Sequence, residues 1–218
     1  MDVLSALAGR NAASMPLDVL ASLTMLSVAP FLLVMCTSFV RIIVVLSLVR
    51  SAIGAAALPP NTVLTGLALV LTAVIMNPTF TRISHDAIEP YAKGKIAQGT
   101  CLTRAIVPLR EFMTHQTRLA DIVLFARAAH VDEQSPARVP LTVLIPAFVV
   151  GELRDGFAIG FALYLPFVAI DFAVAAILMG LGMFMLSPPV VSLPVKLLLF
   201  VMVDGWALVC GGVVSSFR

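Results

Sequence analysis

Hydrophobic positions run through this chain in long uninterrupted blocks. Residues 19–40 and 51–81 contain no charged side chain. The first block alone would extend about 33 Å as a helix, enough for a hydrocarbon core of about 30 Å. A shorter apolar run occupies residues 139–151, and two longer runs cover residues 156–186 and 195–217. Together these blocks predict an all-α membrane protein with about four hydrophobic spans. Between them, residues 82–138 change character. From Leu102 the apolar positions fall at Ala105, Ile106, Leu109, Phe112 and Met113, then Leu119, Ile122, Val123 and Ala126. That is a helical period with charge mostly off the stripe. The predicted organisation is a leader over residues 1–18, a first membrane hairpin over 19–81, a polar helical region over 82–138 and a second membrane region over 139–218.

Prolines punctuate the apolar blocks. Pro30, Pro78, Pro146, Pro166, Pro194 and the pairs Pro59-Pro60 and Pro188-Pro189 lie within or beside the spans. Interior prolines remove a helix hydrogen bond and crowd the preceding turn, and in lipid the freed carbonyl needs protein or water nearby. The expectation is therefore kinked hairpins packed on other chains, with breaks at Pro146 and Pro166 and a kink at Pro108. No basic n-region precedes the first span, so residues 1–18 are expected to lack a cleavable secretory signal.

Composition sharpens the class. The chain is 60% hydrophobic and 12% charged, about half the charge of an ordinary soluble domain. A net charge of +2 gives no field suited to nucleic acid. Residues 82–138 hold eight of the fourteen Lys/Arg, six of the twelve Asp/Glu and all three His. Arg41 and Arg50, with no acid between them, place the link after the first span in the cytoplasm and the polar region on the opposite side; Lys196 gives the same orientation. Cys36, Cys101 and Cys210 are too dispersed for a disulfide framework or a zinc site and read as inert thiols.

No nucleotide-binding loop, hydrolase elbow or metalloprotease motif is present, and His85, His115 and His130 have no ligand spacing. The chain is read as no enzyme, with no cofactor and no metal. The charges inside apolar surroundings are Arg41, Glu152, Arg154, Asp155, Asp171, Lys196 and Asp204, and ionisable groups there mark pairs or pathways. Arg41, Asp171 and Asp204 are expected to be buried. Gly180 and Gly182 flank a Met-rich turn, Met183-Phe184-Met185, before Pro188-Pro189. Such a turn can be a packed core or a pliable constriction that seals by dewetting.

Several separate motifs resemble the FliP/SctR family of type III export-gate proteins. They include Thr37-Ser38-Phe39-Val40-Arg41-Ile42-Ile43, Leu58-Pro59-Pro60-Asn61, Leu144-Ile145-Pro146-Ala147-Phe148 with Glu152-Leu153, and Ser192-Leu193-Pro194-Val195-Lys196 with Val203-Asp204-Gly205-Trp206. Pro108-Leu109-Arg110-Glu111-Phe112-Met113 is similar to the flagellar branch.

The resemblance implies a pore subunit in the bacterial inner membrane, within the flagellar basal body, that passes unfolded flagellar proteins. It implies a helical homo-oligomer, a pentamer, with FliQ-like and FliR-like subunits, FlhB-like and FlhA-like components, and the rod on its periplasmic side, where the polar region would lie. Met183, Phe184 and Met185 would line the constriction, Gly180 and Gly182 would allow close helix approach, and Pro188-Pro189 would fix the turn. Glu152 and Lys196, in the two best-matching C-terminal motifs, are expected to pair within or between copies. Two alternatives remain: an ion-coupled small-molecule transporter using Asp171 and Asp204, and a passive membrane scaffold.

Overall fold

A computed structural model describes residues 27, 31, 34–55, 59–131 and 139–217. The leader 1–18 and most of the first span, 19–40, lie outside the described residues. All elements below belong to the compact unit Cys36–Arg218, and every one is helical. In chain order they are α1 (Phe39–Ile53), α2 (Asn61–Ile83), a five-residue π-helical turn (Ser84–Ile88), α3 (Glu89–Ala92), α4 (Gln98–Gln116), α5 (Leu119–Ala128), α6 (Leu141–Gly180), α7 (Pro188–Met202) and α8 (Gly205–Ser215).

α1 is the central helix. Its Val40, Ile42, Val45, Leu46, Val49, Ala52 and Ile53 are all buried. Around them close Leu64 and Ala68 of α2, Phe167 of α6, Phe200 of α7, and Val209 and Val213 of α8. Gly54 ends the helix in the left-handed region at φ 82°, returning its N–H to the Arg50 and Ser51 carbonyls, a geometry glycine adopts without a Cβ penalty. Residues 41–50, expected to link two spans, are therefore helical and largely buried. Arg41 and Arg50 are the ends of a buried helix, and its 15 residues give only about 22 Å, too short to cross a bilayer. The apolar positions between the two arginines carry the helical period that the charge count obscured.

α6 is a single helix of 40 residues, with Pro146 and Pro166 inside it. The expected breaks there do not occur, and the runs 139–151 and 156–186 are joined in one rod. Each proline removes one backbone bond, and the helix continues on both sides of it. α4 likewise runs through Pro108. The polar helical stripe breaks instead at Thr117 and Arg118, which are extended, and the Thr117 hydroxyl closes α4 by donating to the Met113 carbonyl at 2.6 Å.

Helices α4 and α5 and the first part of α6 form a second core from Met113, Ile122, Ala126, Val143, Leu144, Ala147 and Phe148, with Cys36. Cys36 is buried within this core. Among the described residues, two continuous helices are long and apolar enough to cross a membrane, Asn61–Ala92 and Leu141–Gly180. A third candidate is the pair α7 and α8, bent by 64°.

Close approach of α1 to α6 depends on two glycines a turn apart. A Cβ on Gly156 would lie 3.2 Å from Val44 Cβ, and one on Gly160 would lie 2.4 Å from Leu48 Cδ1 and 2.9 Å from Leu48 Cβ. Small residues at this spacing let helix backbones meet. Gly180 and Gly182, singled out from the sequence for that role, meet open space within this chain. Gly182 serves a different purpose: its φ of 74° ends α6.

Gly160→Ala should therefore destabilise the detergent-solubilised protein by about 1–3 kcal/mol, the usual cost of overpacking. Adding Leu48→Ala should return part of the loss. Thermal unfolding of the single and double variants checks this, and equal melting of Gly160→Ala and the parent would contradict it.

Candidate functional site

Three features of the folded chain can carry function: two clusters of charge inside apolar surroundings and one bare apolar connector.

The first cluster is centred on Arg41. Its guanidinium meets Glu152 in a fork, Nε to Oε2 at 3.0 Å and Nη2 to Oε1 at 2.5 Å. Both residues are almost wholly withdrawn from solvent, at 2% and 1% exposure. Nη1 donates to the Ser216 carbonyl at 3.1 Å and its hydroxyl at 3.2 Å. Asp155 approaches Nη2 at 3.5 Å, and the Phe217 ring covers the guanidinium at 3.9 Å. Phe217 also stacks on Phe112 of α4. One cation thus ties α1, α6 and the end of the chain together, where the two apolar cores meet.

The cluster extends outward through α5. Arg118 bonds Asp155 at 2.7 Å, and Arg154 grips Asp121 with two bonds of 2.7 Å. Asp121 is buried in the first turn of α5, where the helix dipole also favours an anion. The hydrogen bond from Arg154 holds its carboxyl below the usual aspartate pKa.

The second cluster sits between α6 and α7. Lys196, buried, meets Asp171 at 2.6 Å and donates to the Ala52 carbonyl at 3.2 Å. The buried Ser192 hydroxyl donates to the other oxygen of Asp171. The expected pairing of Glu152 with Lys196 is not formed within the chain. Glu152 and Asp171 stand 19 residues apart on one continuous helix, about 28 Å along its axis, so each acid takes the cation at its own level. Of the three charges expected to be buried, only Arg41 fully is. The Asp171 side chain is 35% exposed, and Asp204 is exposed at the α7–α8 bend, because the bend turns it outward.

The connector between α6 and α7 covers residues 181–187. Gly182 and Met183 N–H groups close the end of α6 on the Met179 and Leu178 carbonyls, and Pro188-Pro189 open α7 at positions that need no N–H partner. The ends are thus firmly held. Between them Met183, Phe184 and Met185 are 44%, 79% and 101% exposed. They are not a packed core of this chain. Apolar side chains displayed this way in a row need another surface to meet.

Among the described residues no three His, Cys, Asp or Glu side chains converge where a metal ion could be held. Sequence reasoning missed Gly156 and Gly160, although their i, i+4 spacing was visible. It also missed Asp121, Asp155 and Phe217 as supports of the Arg41 cluster; nothing local in the sequence links them.

The family model described as the FliP family matches residues 22–213. The flagellar biosynthetic protein FliP of Pectobacterium carotovorum subsp. carotovorum is 46% identical over 210 residues, covering 96% of this chain and 81% of that protein. The protein of the same name from Bacillus subtilis (strain 168) is 45% identical over 205 residues, covering 94% and 93%. That of Aquifex aeolicus (strain VF5) is 42% identical over 199 residues, covering 90% and 83%.

Two expectations follow from the charge clusters. Arg41→Met should cost about 3–5 kcal/mol by leaving Glu152 buried and unpaired, and Arg41→Met with Glu152→Leu should recover most of it; denaturant unfolding of the two variants decides. The Asp121–Arg154 pair is sensitive to acid. Because the folded-state pKa of Asp121 is depressed, its stabilisation is complete above the unfolded value of about 3.9. It fades as pH falls through the depressed value. Asp121→Asn should flatten the acid limb of a stability–pH curve, and an unchanged limb would contradict the assignment.

Proposed function

Since the chain belongs to the FliP family, we propose that it is a pore-forming subunit of the flagellar type III protein-export gate, resident in the bacterial inner membrane. The observation that supports this reading best is the connector 181–187. It presents Met183, Phe184 and Met185 bare, on rigid ends, between two long apolar helices. Several copies arranged in a ring or helix would bring these side chains together as an apolar constriction. Such a ring excludes hydrated ions by dewetting, while thioether chains re-form around a passing polypeptide. Phe184 is stiffer than its neighbours and supplies bulk more than plasticity.

The rest of the chain has a role in the same scheme. The protein is not an enzyme, so energy for transport comes from elsewhere in the machine. The polar helices α3–α5 would face the periplasm and the rod. The apolar faces of α2, α6 and α7 would be covered by further copies, five in all, and by FliQ-like and FliR-like subunits. FlhB-like and FlhA-like components would deliver unfolded substrate from the cytoplasmic side.

The transporter alternative loses its footing in the geometry. Asp171 is already engaged by Lys196 and Ser192, and Asp204 is on a different surface feature, so the two do not form a paired proton site in this fold.

Replacing Met183, Phe184 and Met185 together by Ala should raise ion conductance through the assembled gate while export of flagellar proteins continues. Conductance equal to that of the parent would remove these residues from the gate and favour the scaffold reading.

A further inference from the structure

Asp204 stands apart from every other charge in the apolar half of the chain. It occupies the sharp bend between α7 and α8 at φ 48° and ψ 55°, a left-handed conformation. It is the N-cap of α8, yet its carboxylate makes no capping bond. An N-cap aspartate ordinarily accepts from the first turn of its helix. Among the described residues the carboxylate forms no ion pair either, and it is exposed. Its neighbours on both sides are exposed apolar residues: Val201 at 74%, Met202 at 75% and Leu208 at 56%.

The bend that displays it is rigid. A Cβ on Gly205 would fall 2.3 Å from the Phe200 ring, and Trp206 packs edge-on against the same ring at 5.2 Å. Beside Asp204 opens an apolar cavity of about 310 Å³, lined by Val203, Gly205 and Leu208 from the bend together with Leu163, Phe167 and Phe200. The surface therefore offers one fixed carboxylate next to a recess that fits an apolar side chain.

From this juxtaposition we infer that the α7–α8 bend is a docking site for an apolar helix of a different subunit, one that carries a lysine or arginine. The partner's cation meets Asp204, and a neighbouring apolar side chain fills the recess. A charge left unpaired in apolar surroundings is costly, so the surface is complete only when occupied. The described part of a second copy is a poor occupant. Among the described residues, the cations with neither a carboxylate nor a side-chain partner are Lys95, Arg104 and Arg110, apart from Arg127, which is engaged. All lie in the polar region, whose surface does not match an apolar collar. Arg50 is held by Asn61 and the Pro59 carbonyl.

The inference rests on the export-gate reading, and one experiment separates the two. A photo-activated benzophenone side chain is placed at Met202 or at Leu208, in cells producing the whole export apparatus. After irradiation the complex is purified in detergent and its adducts are mapped by mass spectrometry. The expected adduct joins a different chain, on an apolar helix within about two turns of a Lys or Arg. Asn tolerates the left-handed conformation, so Asp204→Asn should leave melting of the isolated chain unchanged. In the complex it should lower adduct yield about tenfold or more. Exchanging charges, Asp204→Lys with the partner cation changed to Asp, should restore yield. Adducts only to lipid or to copies of this chain, or a yield indifferent to Asp204→Asn, would overturn the inference while the complex still forms. Absence of any larger complex from the parent chain would overturn the export-gate reading and this inference with it.

Discussion

A guanidinium and a carboxylate, both shut away from solvent, meet where the two apolar cores of this chain adjoin. Arg41 and Glu152 are a costly pair to desolvate, and their mutual attraction offsets that cost only because the geometry is complete. Every remaining donor on Arg41 is directed at something. Ser216 takes one edge, Asp155 lies near another, and Phe217 closes the face. The arrangement fixes which residue of α1 lies against which residue of α6. Apolar packing alone leaves such a register loosely specified, whereas a buried pair one turn out of place would strand two charges.

From that register the rest follows. α1 is held against α6 by the glycines at 156 and 160, and α6 then acts as a ruler of 40 residues. Its first half carries the Arg41 cluster and the polar helices. Its second half carries the Lys196–Asp171–Ser192 cluster, which fastens α7 alongside. The connector at 181–187 hangs from the far end. Two ion clusters on one rod thus separate a well-buried half from a half whose apolar surface is largely bare. That division is what a subunit needs if one end is folded in advance and the other is completed by neighbours.

Much of this was legible in the chain itself. The apolar blocks gave α2, α6 and the α7–α8 pair, and the polar stripe gave α4 and α5, because periodicity and charge density are local properties. The motifs carrying the family resemblance were likewise contiguous. The misreadings have a common source. Residues 41–50 read as a link between spans because their two arginines outweigh a clear apolar period. Pro146 and Pro166 read as breaks because each lacks an N–H donor, yet α6 continues on both sides of them. Glu152 and Lys196 match in sign and motif, but within the chain each takes another partner, because Glu152 and Asp171 stand 19 positions apart along α6.

The sequence by itself determined the class of this protein. It also determined its helical character, the absence of catalytic motifs and the apolar nature of the Met183–Met185 turn, all of which depend on residue type and spacing along one line. Only the tertiary structure decided that α1 is central, that Arg41 takes Glu152 while Lys196 takes Asp171, and that Asp204 faces outward beside an apolar recess. Those outcomes depend on distances between residues far apart in the chain. A single sequence states which charges exist; only the packing of helices states which of them can reach each other.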